Sequence, residues 1–190
     1  MANGFDPNTP AYIKQVINNH GGLQRTNRFM VEIFPPAAVK LPKQDIPCQD
    51  VIFPERALNV VADTLSGPTL GRAVPKGLSY ANGLGLVFPT FNDWAVEDFF
   101  QSWHDYIFGQ DRNGNWITQY YDIAVKPTFI KVRTYDVSGN ETCVHTFKEI
   151  TPISIVPNSQ FSMRASDRPL NSNFYIMNFY DWSIKPTTRR

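Results

Sequence analysis

An amphipathic helix predicted between about residues 92 and 108 constrains the fold more than any other feature of the sequence. Residues at helical spacing form an apolar stripe, namely Val96, Phe99, Phe100, Trp103 and Ile107. The opposite stripe is polar and mostly acidic, namely Glu97, Asp98, Gln101, His104 and Asp105. Asn92 is a good N-cap, and Asp93 places a negative charge in the first turn, where the helix dipole favours it. Because most of the remaining chain has the pattern of strands or loops, this helix must cover a β-structure.

Several segments have the composition and apolar alternation that are typical of β-strands. They are residues 28–33, 48–53, 57–61, 84–88, 128–137, 142–150 and 174–184. Residues 138–141 (SGNE) are a good turn signal, so the two segments around them are expected to form a hairpin. Ile130 and Val132 alternate with Lys131 and Arg133, which predicts one wet face for this hairpin. The last segment has large apolar side chains on both faces, and we therefore expect it to be buried on both sides.

Two long segments without a persistent period interrupt the predicted strands. Residues 62–83 are rich in Gly, Pro and Ser, and a loop this long in a compact domain is either a mistaken assignment or a functional arm. Residues 157–173 form a second long polar loop. A short N-terminal helix is expected at residues 11–20, with Thr9 as N-cap and Pro10 as the first helical residue.

No internal repeat and no linker divides the sequence, so we expect one domain over residues 1–190. Its expected parts are an N-terminal arm or helix (1–27), an extended loop (62–83) and a flexible tail (185–190). The predicted fold class is mainly β, an antiparallel β-sandwich or partial barrel with one flanking amphipathic helix and a short N-terminal helix.

The surface is expected to be poor in charge and rich in aromatic side chains. Charged residues make up only 18% of the 190 residues and aromatic residues 14%, whereas about 25% charged residues is typical. Such a composition fits a subunit whose surface is covered by neighbours, and an aromatic-rich monomeric sandwich is the alternative. The net charge is +1 and no basic run is present, so we expect no tight, specific DNA binding. We also expect no bilayer-spanning segment and no cleaved export signal.

The sequence contains no pattern that points to catalysis, and we expect no catalytic residue, no cofactor and no metal ion. His20, His104 and His145 are scattered, and none has a partner at metal-ligand spacing. Residues 109–115 resemble a calcium loop only superficially. Cys48 and Cys143 are far apart in sequence, and we expect both to be free, mostly buried thiols that serve packing.

Several short motifs occur along the chain in a characteristic order. They are residues 26–33 (TNRFMVEI), 48–54, 91–94 (FNDW) with Phe99, Phe100 and Trp103, 135–140, 152–155 (PISI) and 179–182 (FYDW). In this order they resemble the tail tube proteins of contractile-tailed bacteriophages, a family related to the tube proteins of type VI secretion and contractile bacteriocins. The resemblance covers about residues 25–184.

This resemblance implies a structural protein and no enzyme. Six subunits of such a protein close into a ring whose inner strands join as one β-barrel, and stacked rings form the inner tail tube, the conduit for DNA ejection. The implied partners are further copies of the chain, the tail sheath, baseplate and tail-terminator proteins, and the tape-measure protein and DNA in the lumen, bound without sequence specificity. No small-molecule substrate is implied. The implied location is the virion tail, assembled in the host cell cytoplasm.

Three alternatives stay open at this point. The chain could form a baseplate tube-initiator ring of the same fold, or it could be a tube subunit, or injected effector, of a secretion or bacteriocin-like contractile system. It could also be a monomeric binding module with a sandwich fold.

Two surfaces are candidate contact sites within such an assembly. The extended loop is expected to contact the adjacent ring, through Leu65, Leu70, Arg72, Val74 and Lys76. The acidic helix face is expected to face the sheath, through Glu97, Asp98, Gln101 and Asp105. No Lys or Arg lies between Lys76 and Arg112, and Asp93 and Glu97 repel each other at i,i+4 spacing, so this one-signed face is costly for an isolated helix.

Overall fold

The computed structural model describes residues 14–15, 28–42, 47–63, 72–91, 93–110, 113–156 and 172–187. Within these ranges the chain is mainly β, as predicted, with twelve strands in antiparallel sheets, two helices and no closed barrel. Of the predicted N-terminal helix, Lys14 and Gln15 are helical and the other residues lie outside the described ranges.

Two four-stranded sheets form the larger part of the described β-structure. Sheet A has the order β1 (Phe29–Phe34), β8 (Phe129–Tyr135), β9 (Glu141–Lys148) and β12 (Asp181–Pro186). Sheet B has the order β10 (Thr151–Val156), β11 (Ser172–Asn178), β5 (Leu84–Pro89) and β2 (Asp50–Ile52). Every neighbouring pair in both sheets is antiparallel.

Two further hairpins and two helices complete the described elements. The hairpins are β3 (Glu55–Asp63) with β4 (Arg72–Ala81), and β6 (Phe108–Gln110) with β7 (Trp116–Thr118). The helices are α1 (Ala95–Ile107) and the short α2 (Tyr121–Ala124), which the sequence pattern does not predict. The segment 109–115, which resembles a calcium loop only superficially in sequence, includes the end of β6 and the turn before β7, with Gly114 at a φ of 81°.

The predicted apolar stripe of α1 is confirmed as part of the core. Val96, Phe99, Phe100 and Trp103 are buried, and Ile107 packs against them. The Phe100 ring stacks on Tyr175 of β11 at a centroid distance of 4.1 Å. The same core contains side chains from both sheets, namely Leu84, Leu86, Tyr175 and Met177 of sheet B and Ile130, Val132 and Phe147 of sheet A. One core therefore joins the helix to both sheets, and truncating a buried aromatic here would cost about 3–5 kcal/mol.

The helix begins later than predicted. Its N-cap is Trp94, in the left-handed region at a φ of 53°, and Asn92 lies outside the described residues. A turn closed by the Trp94 N–H on the Phe91 carbonyl (3.1 Å) delays the first helical residue to Ala95. Asp93 still serves the helix start, because its Oδ1 accepts a hydrogen bond from the Ala95 N–H at 3.3 Å.

The prediction of an extended loop at residues 62–83 is wrong for most of that segment. Residues 72–81 form β4 and pair in register with β3, so that Leu58 faces Leu78 and Val61 faces Val74. The register shifts between Asn59 and Val60, where the facing residue changes from Gly77 to Pro75. Proline, glycine and a bulge at one place conceal the alternation that a strand normally shows. Residues 64–71 lie outside the described ranges.

The prediction of one closing strand at residues 174–184 is also wrong. The chain leaves sheet B after Asn178 and enters sheet A at Asp181, so β11 and β12 belong to different sheets. Phe179 is buried at this crossover, and the Tyr180 N–H donates to the Lys148 carbonyl at 3.0 Å. The apolar side chains on both faces of the segment therefore reflect a change of sheet.

Candidate assembly surfaces

The outer face of sheet A is the most highly charged surface among the described strands. Side chains alternate across a strand, so Ile130 and Val132 enter the core while Lys131 and Arg133 point outward, as the sequence predicts. By the strand register, four basic and three acidic side chains share this outer face. They are Lys131, Arg133, Lys148 and Lys185, with Glu32, Glu141 and Asp181.

Arg133 lies between two carboxylates on neighbouring strands. Its Nε is 2.9 Å from Glu32 Oε1, and its Nη1 is 2.6 Å from Glu141 Oε2. Hydrogen bonds to Glu32 and then to Glu141 raise the pKa of Arg133, and the bond from Arg133 lowers the pKa of the Glu141 carboxyl. Lys148 and Asp181 form a looser pair at 3.8 Å. All three carboxylates of this face therefore have a basic partner.

Apolar side chains on the outer face of sheet A gather at its β1 edge. Phe34 stacks on Phe129 at a centroid distance of 4.1 Å, and the Lys131 ammonium lies 5.6 and 5.3 Å from the two ring centroids. Both outermost strands of sheet A, β1 and β12, have a single neighbouring strand among the described residues. An apolar cleft between β1 and α1, lined by Phe88 and Val96 among others, lies beside the open β1 edge.

The outer face of sheet B is apolar. By register it carries Ile52, Val87, Val156, Phe174 and Ile176, and Asp50 is its one charged side chain among the described residues. Ile52 is 52% exposed and Val156 is 44% exposed. The Phe174 ring lies across the strand at Gly85, where an added Cβ would come within 2.7 Å of that ring. An apolar face with exposed side chains is typical of a surface that contacts another protein.

The β3–β4 hairpin exposes a second apolar surface. Its exposed apolar side chains are Leu58, Val60, Val61, Val74 and Leu78. At its base, the Tyr80 ring lies 5.0 Å from Phe179 and 6.1 Å from Trp182, which joins the hairpin to the core. No described strand pairs with the outer edge of either β3 or β4.

The structure places part of the predicted ring-contact set on this hairpin. Val74 and Lys76 are exposed, and Arg72 is the first residue of β4. Leu65 and Leu70 lie outside the described residues. Leu58, Val60 and Leu78 are missing from the predicted set, although their alternation along each strand could have indicated a hairpin.

Only part of the predicted acidic helix face is exposed to solvent. Asp98, Gln101 and Asp105 are exposed. The placement of Glu97 on the outward face is wrong, because Glu97 is half-buried and its Oε1 accepts a hydrogen bond from the buried Asn173 amide of β11. Helical spacing alone cannot reveal this contact, since Asn173 lies far away in sequence.

The sequence pattern does not predict the aromatic surface around β6, β7 and α2. The Phe108 and Trp116 rings stack at 5.1 Å and both are exposed. Tyr120 is 79% exposed and Tyr180 is 74% exposed. The Tyr121 hydroxyl donates to the Glu149 carboxylate, and this bond raises the pKa of Tyr121. The only sequence signal for this surface is the cluster of aromatic residues at positions 116–121.

Cys48 and Cys143 are free thiols, as predicted, but both are half-buried in the single chain and not mostly buried. Cys48 Sγ donates to the carbonyls of Asp50 (3.2 Å) and Val87 (3.4 Å), and burial raises its pKa to about 12. Burial also raises the pKa of Cys143. Neither thiol has a low-pKa environment that would make it a nucleophile.

In the described part of the chain, no three or more His, Cys, Asp or Glu side chains are grouped so that they could hold a metal ion. The described helices are also too short or too polar to cross a membrane.

Comparison with known proteins finds similarity only at the level of structure. No family model matches the chain, and no curated protein matches it. A chain in the cryo-EM structure of the anti-feeding prophage baseplate superposes with a TM-score of 0.60 at 13% identity, covering 86% of this chain and 95% of that one. A chain in the sheath–tube complex of an extracellular contractile injection system superposes with a TM-score of 0.58 at 11% identity, covering 92% and 97%.

A third chain, from the tube-terminating cap of the anti-feeding prophage, superposes with a TM-score of 0.57 at 12% identity, covering 87% of this chain and 92% of that one. In all three cases the likeness spans nearly the whole of both chains. The protein therefore shares its fold with chains that are found in contractile injection assemblies.

Proposed function

We propose that this protein is a structural subunit that closes into six-membered rings, and that the rings stack into the inner tube of a contractile tail. The observation that carries this proposal is the pair of open edges of sheet A. β1 and β12 have six residues each and run in opposite directions within the sheet. β12 of one copy can therefore continue the antiparallel order against β1 of the next copy.

Ring closure gives each open edge a partner. An unpaired strand edge leaves backbone N–H and C=O groups exposed and invites uncontrolled pairing, which a closed barrel prevents. The apolar cleft beside β1 supports this arrangement, because side chains of an added strand can fill it.

The remaining apolar surfaces fit contacts between copies. The β3–β4 hairpin, with Val74 and Lys76 on its surface, is assigned to the adjacent ring, together with Leu65, Leu70 and Arg72. The outer face of sheet B is assigned to a contact with a neighbouring copy. The exposed residues Asp98, Gln101 and Asp105 of α1 are assigned to a surrounding sheath, since exposed ion pairs of about 1 kcal/mol or less suit a contact that must release.

A baseplate initiator ring is the second candidate function. The likeness to a chain in the anti-feeding prophage baseplate favours it, and the same ring closure would apply. A secretion or bacteriocin-like system would use the subunit in the same way, with different cargo.

Negative-stain electron microscopy of the purified full chain tests the proposal. We expect rings or stacked tubes, with mass photometry showing a species of six chains. A compact monomer at every concentration up to the solubility limit would contradict the proposal and favour a binding module. Isolated rings that never stack would favour the initiator ring.

A further inference from the structure

We propose that His145 makes the attachment of the β3–β4 hairpin sensitive to pH, so that protonation of this imidazole in mild acid releases the hairpin from the body of the subunit. The release is a property of the single chain. Its consequence, the separation of stacked rings, rests on the proposed function, in which the hairpin contacts the adjacent ring.

The base of the hairpin is attached to the body through a group of rings, which we call the aromatic joint. Phe53 lies two residues before β3 and Tyr80 belongs to β4, so both sides of the hairpin contribute a ring at its base. The centroids of these two rings lie 5.9 and 6.1 Å from that of Trp182. The complete joint consists of Phe53, Tyr80, His145, Phe147, Phe179 and Trp182. Because β3 and β4 pair only with each other among the described strands, loosening the joint changes the position of the whole hairpin.

His145 is the member of the joint whose side chain can change its charge near neutral pH. The centroid of its ring lies 4.8 Å from that of Phe53 and 6.1 Å from that of Trp182, and the side chain is half-buried. Its Nδ1 is buried and has no hydrogen-bond partner among the described residues. Protonation places an N–H on both ring nitrogens, which leaves a buried donor without an acceptor. This cost exceeds the attraction of an imidazolium for the partly exposed Phe53 ring, so protonation disfavours the closed joint.

The charged groups around His145 do not offer a described carboxylate to the imidazolium. The titratable side chains that share its side of the sheet are Cys143 of β9 and Tyr80 of β4, a thiol and a phenol. Glu55 and Arg56, at the start of β3, are exposed. The charged side chains of β8, β9 and β12 lie on the outer face of sheet A, namely Lys131, Arg133, Glu141, Lys148, Asp181 and Lys185. Protonated His145 therefore gains a partner only by reaching water.

The direction of the pH effect follows from the difference between the attached and released hairpin. Burial lowers the pKa of His145 while the hairpin is attached, and release returns it toward the ordinary value of about 6.5. The released state therefore binds more protons. The attachment is complete above about pH 6.5 and weakens as the pH falls through the pKa of the attached state.

Hydrogen exchange measured by mass spectrometry on the full chain tests the inference. Exchange rates in segments 52–58 and 78–83, divided by the intrinsic rate at each pH, should rise about tenfold between pH 7.5 and pH 5, while those of β5 stay unchanged. His145→Leu keeps an apolar side chain and cannot be protonated, so its corrected rates should stay within about twofold. The matched control His104→Gln removes an exposed imidazole of α1 and should respond like the parent.

An equal rise in His145→Leu would overturn the inference, as would the absence of a rise in the parent. A rise that includes β5 to the same extent would overturn it too, since acid would then unfold the whole domain. Phe53→Leu provides a second test if His145→Leu folds poorly. It removes the ring that lies against the imidazole and should give fast exchange at both pH values. Exchange as slow as in the parent at pH 7.5 would contradict the aromatic joint.

Negative-stain images of the same samples separate this inference from the proposed function. We expect stacked tubes at pH 7.5 and separate rings at pH 5 in the parent, and stacked tubes at both pH values in His145→Leu. Rings in the parent without any exchange response that depends on His145 overturn the inference alone. A parent that forms no rings overturns the proposed function, and the exchange rates still decide whether His145 controls the hairpin.

Discussion

The outer faces of the two four-stranded sheets differ in nearly every respect. On sheet A, Arg133 and Lys148 cross between strands to reach carboxylates, and the face is charged and nearly neutral overall. On sheet B, Ile52, Phe174 and Ile176 lie outward with a single charged residue among the described positions. Both sheets share one core, so their inner faces cannot explain this difference.

The comparison indicates how each face is used. A sheet face that stays in water through the life of the protein tolerates charge, whereas an apolar face costs about 25 cal/mol for each square ångström that water covers. Burying the apolar face against another copy removes that cost. Under the proposed function, we therefore expect the outer face of sheet B to form contacts within the assembly and the outer face of sheet A to line an aqueous passage.

The largest expected effect comes from placing a charge on the apolar face. Ile52→Lys should leave a folded monomer, because the side chain is 52% exposed, but should abolish ring or tube formation. Thr146→Lys, on the outer face of the central strand β9 of sheet A, is the matched control and should assemble like the parent. Size-exclusion chromatography with negative staining measures both. Equal assembly of the two variants would remove the distinction between the faces.

Charges placed on the β3–β4 hairpin should have the next largest effect on assembly. Leu58→Asp/Leu78→Asp places two like charges opposite each other on exposed strands, and we expect rings that no longer stack. Replacing residues 65–76 with a short Gly/Ser linker should have the same result. Tube length in negative stain is the measurement. Tubes of parental length from either variant would show that the hairpin does not join rings.

Charge reversal on the acidic helix face should weaken sheath assembly and leave the tube intact. Reversing Asp98 and Asp105 to Lys should reduce sheath assembly on preformed tubes at low salt, and the difference from the parent should shrink at high salt, because exposed charges are screened. Glu97 is left unchanged, since it contacts Asn173. If sheath assembles equally on both tubes at both salts, this face is only a solvated surface.

Acid should weaken the cross-strand pairs of sheet A. Glu141 has a lowered pKa in the folded protein, so its contribution to stability is complete above its unfolded pKa and is lost as pH falls through the folded value. Burial lowers the pKa of His145, which acts in the same direction, since protonation disfavours the folded state. We expect the melting temperature to fall below about pH 6.5, where His145 takes up a proton on unfolding, and to fall less steeply in Glu141→Gln only below about pH 4.5. Identical pH profiles would exclude the Arg133–Glu141 pair as a contributor.

The smallest effect is expected at the thiols. Cys48 should resist a thiol reagent at pH 8, because burial holds its pKa at about 12, whereas Cys143 should react slowly. Unfolding should release two reactive thiols. Rapid reaction of both thiols in the native protein would contradict the packing of Cys48 against the Asp50 and Val87 carbonyls.

The sequence predicts local elements of this fold better than its surfaces. The α1 stripe, the β8–β9 hairpin and the β5 strand follow from period and turn signals, which depend on neighbouring residues only. The β4 strand is missed because Pro75 and Gly77 interrupt its pattern. The crossover at residues 179–180 is missed because an alternating pattern does not show which sheet a strand joins.

The candidate surfaces depend on contacts between distant residues and were harder to predict. Glu97 belongs to the polar stripe by spacing, yet its carboxylate accepts a hydrogen bond from the buried Asn173 side chain and is half-buried. The pairing of Arg133 with Glu32 joins residues on different strands, so no local pattern contains it. The apolar outer face of sheet B requires the register of four strands, because each strand separately has the composition of a core element.

A cryo-EM map of the purified assembly tests the central claim most directly. The claim is that the outer face of sheet A lines an aqueous passage while the outer face of sheet B is buried between copies. We expect rings in which β12 of each copy pairs with β1 of the next, with Arg133 and Lys148 facing the channel and Ile52 and Phe174 in contact with a neighbour. A ring whose channel is lined by Ile52 and Phe174, with Arg133 and Lys148 buried between copies, would contradict the claim.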